Sequence, residues 1–489
     1  MVNIIQLLTV ENIIRPLKQG GQQSLIFHIK VVNLSYEKQV DVVWCGKDGE
    51  WRTLKAEFLH ENADNQEYWL AKTRLKSKHI DRLPGDIRFA LRLRCQDREF
   101  WDNNRQANFL SHANSGLQLN NAYLLLDISF IQKLDLEQQW LTVKIAVNAS
   151  FKAAKVILHW SADSWRHIHH SPCRRQAKLS NQHAEIWTAR IKIASAFRVC
   201  YALSAENRTQ TIWDNNDGLN YTLSRTPLKV MILNLHCRQE EQQDDKFTLI
   251  AKAIDEQMAD VVCLQEVSEF WNEGRGDWPS NAANIINQRL RQPFYLYTDW
   301  SHLGFDQYRE GVAILSRFPL LNTQARYVSE SHDAYSIHSR KVVMAQIHAP
   351  YMGNVNVYSV HLSWWEDGFS QQFIQLHEWV GSLSGGSDAT MLCGDFNISA
   401  GSPGYWQVVN THQYDDQYSV VNARNSPPGR HRVNDAHWRR STADDGRIDY
   451  IFMPKNSPLQ ATYARILFTD ADYGRVSDHV GFIMTFEPK

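Results

Sequence analysis

The stretch Thr390-Met-Leu-Cys-Gly-Asp-Phe-Asn397 decides the fold of the second half of the chain. Its first residues form a short apolar run that predicts a buried strand, and polar residues follow where that strand ends. Asp395 and Asn397 are two positions apart, so their side chains face the same side of an extended backbone. Because binding and catalytic residues often follow strands held in a rigid sheet, we expect a functional site at this strand end.

The same arrangement, a short apolar strand followed by a polar residue, recurs after residue 226. Apolar runs predict strands at residues 229–233, 260–265, 312–315, 355–360, 390–393, 447–452 and 482–486. Helical periodicity is found at residues 246–257 and near residues 371–383. Strands mixed with helices in this way are typical of a two-layer or α/β sandwich. The polar residues at the strand ends are Asn234, Glu266, His361, Asp395, Asn397, Asp449, Asp478 and His479.

Most of these strand-end residues offer oxygen atoms, and that composition suits a hard cation. Mg²⁺ prefers carboxylate, amide and water oxygens and usually keeps positions open for a phosphate. Taken singly, each residue has an ordinary explanation, because an acid after a strand is commonly a turn former or helix cap. The set is more specific, since the motifs occur in one order across one segment. They are Leu233-Asn-Leu, Leu264-Gln-Glu-Val, Ala313-Ile-Leu-Ser-Arg-Phe-Pro, Val360-His-Leu-Ser, Gly394-Asp-Phe-Asn, Arg447-Ile-Asp-Tyr and Ser477-Asp-His.

This ordered set resembles the endonuclease/exonuclease/phosphatase superfamily, which includes deoxyribonuclease I, abasic-site nucleases, inositol-polyphosphate phosphatases and bacterial sphingomyelinases. The resemblance covers residues 228–489 and implies a four-layered α/β sandwich of the deoxyribonuclease I type that uses Mg²⁺ or Mn²⁺. It also implies a role for each residue. Glu266 would be a direct metal ligand, supported by Asn234 and, from the other side, by Asp478.

The remaining strand-end residues take catalytic roles by the same resemblance. Asp395 would orient or deprotonate the attacking water, and Asn397 would hold the transition state. His479, polarised by Asp449, would stabilise the charge that develops on the phosphate, and His361 would contact a phosphate oxygen. These roles agree with the physics of phosphoryl transfer, in which fixed donors and a metal aimed at the phosphate oxygens supply most of the rate. We also expect Arg309 to contact the substrate.

The first half of the chain contains an internal repeat. Phe100-Trp-Asp-Asn-Asn-Arg-Gln-Ala-Asn108-Phe109 recurs as Ile212-Trp-Asp-Asn-Asn-Asp-Gly-Leu-Asn220-Tyr221. Each copy closes a segment of about 100 residues, which is close to the usual size of one domain. Short alternating runs at residues 41–44, 155–160 and 186–193 predict antiparallel β-sandwiches. The chain therefore divides into two all-β sandwiches at residues 1–121 and 122–225, followed by an α/β domain at residues 226–489.

Both sandwiches are similar to carbohydrate-binding modules. Residues 25–109 resemble the family 21 starch- and glycogen-binding modules, and the second sandwich is similar to modules of families 25 and 53. The resemblance implies sugar contacts by Trp101, Asn103, Trp213 and Asn215, since indole faces stack on sugar rings and amides pair with hydroxyls. The alternative is that these tryptophans belong to the core and that the asparagines are turn residues. In the first copy, Arg105-Gln-Ala replaces the glycine-containing stretch, which weakens the resemblance there.

Amino-acid composition and charge indicate in which cell compartment the protein works and which kinds of partner it binds. The seven cysteines are odd in number and show no C-x-x-C spacing, so free thiols are expected rather than a disulfide framework. No export signal is evident at the start of the sequence, and no apolar run approaches the ~20 residues that span a bilayer. These features favour a cytoplasmic protein. Residues 226–489 carry 22 Lys and Arg against 31 Asp and Glu, a net charge of −9, which leaves +8 on the first part. An acidic catalytic part argues against nucleic acid as the partner.

The combination resembles the bacterial maltose 6′-phosphate phosphatases. We therefore expect a Mg²⁺-dependent phosphatase that acts on a phosphorylated malto-oligosaccharide. One alternative is a phosphodiesterase, either a nuclease or a sphingomyelinase-like lipase, and another is a glucan-binding scaffold without catalysis. A loop rich in arginine between the Asp395 and Asp449 motifs, containing Arg424, Arg430, Arg432, Arg439, Arg440 and Arg447, is either a substrate anion site or a solvated surface segment.

Overall fold

The computed structural model of the protein describes residues 4–35, 37–61, 66–95, 98–425 and 447–489. The chain divides into two compact units, Met1–Thr226 and Pro227–Lys489. Four of the loop arginines, Arg430, Arg432, Arg439 and Arg440, lie outside the described residues. No helix in the described ranges combines the length and apolar character needed to cross a bilayer.

The first unit begins with a β-sandwich made from two antiparallel sheets. Its strands are β1 (Ile5–Pro16), β2 (Gly21–Val32), β3 (Lys38–Cys45), β4 (Arg52–Lys55), β5 (Glu57–Glu61), β6 (Gln66–Ser77), β7 (Ile87–Cys95), β8 (Arg98–Asp102), β9 (Phe109–Ser111) and β10 (Gly116–Leu119). One sheet has the order β10-β1-β2-β6-β5, and the other has the order β4-β3-β7-β8 with β9 paired to β7. In β2 every second residue is buried, so one face of the strand forms the core.

A second sandwich follows in the same unit. Its strands are β11 (Leu125–Asp127), β12 (Trp140–Asn148), β13 (Lys155–Ser161), β14 (His169–Pro172), β15 (Arg174–Arg175), β16 (Ala184–Lys192), β17 (Arg198–Glu206), β18 (Thr211–Asp214) and β19 (Tyr221–Ser224). The sheets have the orders β11-β12-β16-β15 and β14-β13-β17-β18, with β19 paired to β17. Buried aliphatic residues from both sheets form a core distinct from that of the first sandwich.

The repeated Trp-Asp-Asn-Asn element forms the same loop in both sandwiches. Its aspartate anchors the loop to the first strand of its own sandwich, because Leu7 N donates to Asp102 Oδ2 and Asp127 N donates to Asp214 Oδ2, both at 3.2 Å. Gln106 has φ 75°, where the second copy has Gly218 with φ 99°. The first loop therefore keeps the left-handed backbone of the second although it lacks the glycine.

Replacing Gln106 with glycine is expected to stabilise the first sandwich by about 1 kcal/mol, since a side chain in the left-handed region costs roughly that much. Chemical denaturation of the full chain measures the change. Gln118→Gly is the matched control, because Gln118 lies in the extended strand β10 and glycine there should destabilise by roughly 0.5–1 kcal/mol. Equal destabilisation by both substitutions would contradict the backbone conformation described here.

The two sandwiches share a small apolar cluster, and Asp127 is buried beside it. Tyr201 Oη donates to Asp127 Oδ2 at 2.5 Å, and Ser129 N donates to Oδ1 at 2.7 Å. Burial raises the pKa of Asp127 from 3.8 to about 6, although these hydrogen bonds oppose the rise and the charge of Asp214 adds to it.

The free energy of unfolding of the first unit should therefore decrease as the pH rises from about 4 to about 6. In that window the folded chain keeps a proton on Asp127 that the unfolded chain releases, which is worth roughly 3 kcal/mol for about 2 pH units. The measurement is denaturant unfolding of wild type and Asp127→Asn at several pH values, and the difference between them should change across this window. The exposed Asp81→Asn is the matched control. If the stability difference between wild type and Asp127→Asn depends on pH no more than the difference between wild type and Asp81→Asn, the assignment is contradicted.

The second unit contains two mixed sheets. Its strands are β20 (Leu228–Asn234), β21 (Val261–Phe270), β22 (Tyr295–Gly304), β23 (Tyr308–Ser316), β24 (Leu320–Tyr327), β25 (Lys341–Ala349), β26 (Gly353–His361), β27 (Ala389–Asp395), β28 (Tyr414–Asp416), β29 (Asp449–Pro454), β30 (Leu459–Leu467) and β31 (Gly481–Pro488). One sheet has the order β22-β23-β21-β20-β31-β30, and the other has the order β24-β25-β26-β27-β29-β28. The apolar strands that the sequence predicts are confirmed, with bounds that differ by a few residues.

Helices pack on both sheets of this unit. They are α1 (Gln243–Gln257), α2 (Ala282–Gln288), α3 (Phe369–Leu383), α4 (Pro403–Trp406) and α5 (Gln417–Asn425). The first two share a core with the β20–β21 sheet, and α3 shares a core with the β26–β27 sheet. Packing of β21 against β26 and of β20 against β27 brings the two sheets together. Each sheet contains one parallel pair among its described strands, β20–β21 in one and β26–β27 in the other, and the carboxyl ends of these pairs meet at one edge.

Candidate active site

A cleft of about 410 Å³ opens where the strand ends of the two sheets meet. Its lining includes most of the strand-end residues that the sequence predicts as one site, namely Glu266, His361, Asp395, Asn397, Asp478 and His479. Asn234 and Asp449 do not line the cleft, but Asn234 hydrogen-bonds to Asp395 and Asp449 hydrogen-bonds to His479. The structure therefore brings all eight strand-end residues together, although they are separated by up to 245 positions in sequence.

The backbone directs Glu266 into the cleft by departing from regular strand geometry. The pairing between β21 and β23 shifts between Leu264 and Val267, which marks a β-bulge, and Glu266 has φ 50°. Such bulges redirect a side chain beside active sites, and a left-handed non-glycine residue stores strain there. On the facing sheet, a Cβ at Gly394 would lie 2.2 Å from Val360 O. Only glycine fits at this position, directly before Asp395.

Asn234 joins the two carboxylates of the cleft. Its Nδ2 donates to Glu266 Oε1 at 2.9 Å and to Asp395 Oδ2 at 3.1 Å. Its Oδ1 accepts a hydrogen bond from His236 N at 3.0 Å. Because Glu266 lies on one sheet and Asp395 on the other, this fully buried amide fixes the separation between them.

Asp395 is the most enclosed carboxylate of the site. Asn397 N donates to its Oδ1 at 2.8 Å, and Oδ2 lies 3.8 Å from His361 Nε2 and 3.7 Å from His479 Nε2. Burial raises the pKa of Asp395 to about 7, and the charge of Asp449 adds to the rise. The carboxylate is thus surrounded by groups that orient it while one oxygen remains directed at the cleft.

His479 forms a pair with Asp449 on the opposite side of the cleft. The distance between His479 Nδ1 and Asp449 Oδ2 is 2.8 Å. Burial disfavours the charged imidazole, but the carboxylates of Asp449 and Asp395 outweigh it and raise the pKa of His479 to about 10. His479 is therefore a cation at neutral pH, with Nε2 directed towards Asp395 and the cleft.

His361 and Asn397 complete the enclosed end. Burial lowers the pKa of His361 well below its usual value, and the neighbouring Arg340 contributes to this shift. The imidazole of His361 is therefore neutral at physiological pH. Asn397 has φ 52°, and its Nδ2 donates to Leu362 O at 2.8 Å. Asp478 lies at the open end, with Oδ1 3.6 Å from His236 Nδ1.

Four further titratable residues line the cleft and are not predicted from the sequence, namely His236, His302, Glu310 and Arg340. Arg340 is half-buried, with Nη1 3.4 Å from His361 Nδ1, and its Nε donates to Ser363 Oγ at 3.3 Å. Burial lowers the pKa of the Arg340 guanidinium, and the carboxylates of Glu310 and Asp395 oppose this. For His236 the sequence does contain a signal. It lies two positions after Asn234, a spacing that places both side chains on the same side of an extended backbone.

Arg309 lies outside the described cleft lining. Its guanidinium lies 3.3 Å from Glu269 Oε1 and over the rings of Trp271 and Trp300. The next residue, Glu310, lines the cleft instead. Because adjacent side chains on a strand point to opposite faces, the expectation of a substrate contact at Arg309 is not supported by this geometry.

Arg447, the loop arginine whose side chain the structure describes, is buried and ion-paired with Asp416. Both of its terminal nitrogens donate to Asp416, and the shorter contact is 2.6 Å. The guanidinium also lies over the rings of Tyr418 and Tyr450. Arg447 is thus a buried structural residue that holds α5 against β29.

The predicted sugar contacts lie in the first unit, on the surface of its sandwiches. Trp101 is 45% exposed and Trp213 is 59% exposed, so neither indole belongs to the core. Trp213 lies beside His159, with ring centroids 4.6 Å apart. The asparagines close the loops, because Asn103 Oδ1 accepts from Gln106 N and Asn215 Oδ1 accepts from Gly218 N. The tryptophans thus offer exposed ring faces, whereas the asparagine oxygens are used within the turns.

The donor set fits a hard divalent cation. Glu266, Asp395 and Asp478 supply carboxylate oxygens to one cleft, and the neighbouring Glu310 adds to the rise in the pKa of Glu266 that burial causes. Buried carboxylates this close are costly unless a cation compensates them. Asp449 Oδ1 is buried without a hydrogen-bond partner among the described residues. Two clusters of side chains could each hold an ion, because within each cluster the ligand atoms lie within 4.8 Å of one another. One cluster is His236, Glu240 and Asp478, and the other is Asp395, Asp449 and His479.

The family assignment follows from comparison with known proteins. Residues 231–479, about half of the chain, match the model of the endonuclease/exonuclease/phosphatase family. The chain belongs to this family. Its members hydrolyse phosphoesters and generally use divalent metal ions. Residues 7–111 match the carbohydrate/starch-binding module of family 21, which confirms the resemblance seen in the first sandwich. No curated protein matches the chain significantly.

Solved structures resemble about half of the chain. An endonuclease/exonuclease/phosphatase family protein from Leptotrichia buccalis is 23% identical with a TM-score of 0.46, over 53% of this chain and 99% of its own. The human Nocturnin catalytic domain is 19% identical with a TM-score of 0.39, over 54% and 94%. A mannosyl-6-phosphatase from Bacteroides thetaiotaomicron is 14% identical with a TM-score of 0.38, over 53% and 99%.

Proposed function

We propose that the protein is a metal-dependent phosphomonoesterase that releases phosphate from a phosphorylated malto-oligosaccharide such as maltose 6′-phosphate. The observation that carries the proposal is the presence of a starch-binding module in the same chain as the phosphoesterase cleft. The acidic character of residues 226–489 supports a sugar phosphate rather than a nucleic acid as the substrate. A cytoplasmic location and the four-layered arrangement of deoxyribonuclease I belong to the same proposal.

The residues that would hold Mg²⁺ or Mn²⁺ are Glu266, Asn234 and Asp478. When bound, the ion supplies positive charge against the phosphate oxygens. Asn234 has a positioning role as well, because its amide fixes the Glu266 carboxylate relative to Asp395. One or two ions are compatible with this donor set, since His236 and Glu240 extend it beside Asp478.

Asp395 orients the attacking water and accepts its proton. The hydrogen bonds from Asn397 N and Asn234 Nδ2 hold the carboxylate still, so that its remaining lone pairs are directed at the cleft. A base held in this way has the correct position before the substrate arrives, which is the main requirement for general base catalysis.

Three residues, two cationic and one neutral, would donate hydrogen bonds to the phosphate oxygens. His479, charged and held by Asp449, donates from Nε2 to an oxygen on which negative charge develops. One amide hydrogen of Asn397 is used on Leu362 O, which leaves the second for the phosphate. Arg340 would donate to a further phosphate oxygen, since its guanidinium lines the cleft beside His361.

Sugar binding by the sandwiches completes the proposal. Trp101 and Trp213 would stack on glucosyl rings, and the second sandwich would act as a module of the family 25 or 53 type. The exposure of both indoles supports this role. Asn103 and Asn215 retain only their amide nitrogens for sugar hydroxyls, because their oxygens close the turns.

A substrate screen with metal removal tests the function. We expect phosphate release from maltose 6′-phosphate, with at least tenfold lower kcat/KM on glucose 6-phosphate, nucleotides and a short DNA. Chelation should abolish the release, and Mg²⁺ or Mn²⁺ should restore it. Equal rates on maltose 6′-phosphate and glucose 6-phosphate would contradict the substrate, and preferred cleavage of DNA or sphingomyelin would favour the diesterase alternative. No metal-dependent turnover of any phosphoester, including an aryl phosphate, would favour the non-catalytic scaffold.

A further inference from the structure

The first unit contains a pocket whose lining includes neither Trp101 nor Trp213, although Asn216 and Leu219 of its wall belong to the same loop as Trp213. It has a volume of about 280 Å³ and lies at the junction of the two sandwiches. Its walls come from both of them, with Tyr68 on β6 of the first sandwich and Tyr201 on β17 of the second. The segment from Asp127 to Gln132, which follows β11, closes one side.

The walls of this junction pocket are held firmly in place. Leu8 and Leu119 of the first sandwich pack with Leu126 and Ile186 of the second in one buried cluster. Lys30 Nζ also donates to Asp217 Oδ2 at 2.9 Å across the junction. A pocket between elements fixed by both apolar packing and ion pairing is preformed, so a ligand does not have to order it.

Aromatic rings form much of the pocket surface. His60 stacks on Tyr68 with ring centroids 4.7 Å apart, and Phe130 lies 6.4 Å from Tyr68. Around these rings, the side chains of Gln132 and Asn220 supply amide donors and acceptors. Aromatic faces beside amides are the combination that recognises a sugar ring, which has apolar faces and hydroxyls along its edge.

The charges of the lining exclude an anion. Glu61 and Asp127 are its acidic residues, and no lysine or arginine of the described chain contributes to it. A phosphate would meet carboxylates without a compensating cation, which is unfavourable. A cation is not favoured either, because each Asp127 oxygen already accepts a hydrogen bond, from Tyr201 or Ser129, and the exposed Glu61 accepts one from Asn33 Nδ2. The pocket therefore suits a neutral ligand with many hydroxyls.

We propose that this junction pocket binds the unphosphorylated terminal glucosyl unit of an α-glucan. Its volume of about 280 Å³ lies just below the range of roughly 300–1,000 Å³ for drug-sized ligand sites, which suits one or two sugar rings. The site is additional to the exposed tryptophans and does not depend on the proposed hydrolytic activity. The pocket would hold the end of the glucan chain, whereas the exposed indoles would contact glucosyl units along the chain.

Calorimetric titration of the full chain with maltose in the presence of a chelator tests the proposal. Two rim positions, Gln132 and Leu219, are exposed and lie on different segments, so Gln132→Trp and Leu219→Trp block the pocket without touching the core. Each is expected to weaken maltose binding at the pocket at least tenfold. Gln182→Trp, an exposed position outside the pocket lining, is the matched control. Circular dichroism confirms that each variant is folded.

The double variant Trp101→Ala/Trp213→Ala separates the pocket from the surface sites. Maltose binding that persists in this variant and disappears when Gln132→Trp is added supports the proposal. Binding that is lost in the double variant and unchanged by both rim substitutions overturns it. Glucose 6-phosphate competing for the pocket as well as glucose would overturn the neutral-ligand assignment. Absence of phosphatase activity would leave these titrations unaffected, so the two proposals fail independently.

Discussion

Replacing Glu266 by alanine is expected to lower kcat/KM for phosphoester hydrolysis by about 10³-fold or more, because it removes the carboxylate that would hold the metal. The substitution should leave the fold intact. Glu266 is half-buried at a bulge, and alanine keeps the Cβ while removing a carboxylate that burial disfavours, without opening a cavity in the apolar core. Steady-state kinetics at several Mg²⁺ concentrations, with unfolding curves for the same preparations, separate the two effects.

Glu269→Ala is the matched control for this experiment. Glu269 lies three residues further along the same strand, and its carboxylate pairs with Arg309 outside the cleft. Its loss should change kcat/KM by no more than a few fold. Near-normal turnover in a folded Glu266→Ala variant would remove the metal assignment, and an equally large loss in Glu269→Ala would show that general disturbance of β21 is responsible.

Much of the second unit can be predicted from sequence because its central strands are buried on both faces. Such strands appear as continuous apolar runs, as in β20 and β27, and the polar residue that ends each run marks the carboxyl edge of the sheet. The edge strands β22, β24 and β30 escape prediction, since partial exposure mixes polar residues into them and removes the pattern. β28 is too short to form a run, and the inner strand β25 also escapes prediction although most of it is buried.

The candidate site, like the fold, can be predicted from the sequence only in part. Asp395, Glu266 and Asp449 follow from strand ends, but the bulge that directs Glu266 and the left-handed backbone of Asn397 have no signature in a single sequence. The alternation of side chains along a strand explains why Glu310 lines the cleft and Arg309 does not. One residue decides which face of β23 a side chain occupies, and without the register the sequence does not distinguish Arg309 from Glu310.

The repeat in the first unit is recognisable in the sequence, but its structural meaning is not. The repeated Trp-Asp-Asn-Asn element suggests sugar contacts by its tryptophans and asparagines. In the structure the aspartates Asp102 and Asp214 anchor the loops to the first strand of each sandwich, and these hydrogen bonds join segments far apart in the chain. Hydrogen bonds between distant segments depend on the folded arrangement, so local turn chemistry alone does not reveal them.

The second large effect is expected at Asp395. Asp395→Asn keeps the shape of the side chain and can still accept a hydrogen bond from Asn397 N, but it cannot take a proton from water. We expect kcat/KM to fall by about 10²–10⁴-fold, the usual contribution of a general base. Asp388→Asn, an exposed position whose carboxylate accepts from Asn354 N, is the matched control.

Stability distinguishes this catalytic role from a structural one. Burial raises the pKa of Asp395 to about 7, so in metal-free buffer above that pH the native fold contains a carboxylate that burial disfavours. The neutral amide removes this cost but gives up the hydrogen bond that Asn234 Nδ2 donates to Oδ2, so the variant should stay within about 1–2 kcal/mol of the stability of wild type while being nearly inactive. A large loss of activity with little change in stability is typical of residues retained for function. A variant that loses both together would instead assign Asp395 to holding the two sheets, through Asn234, rather than to the chemistry.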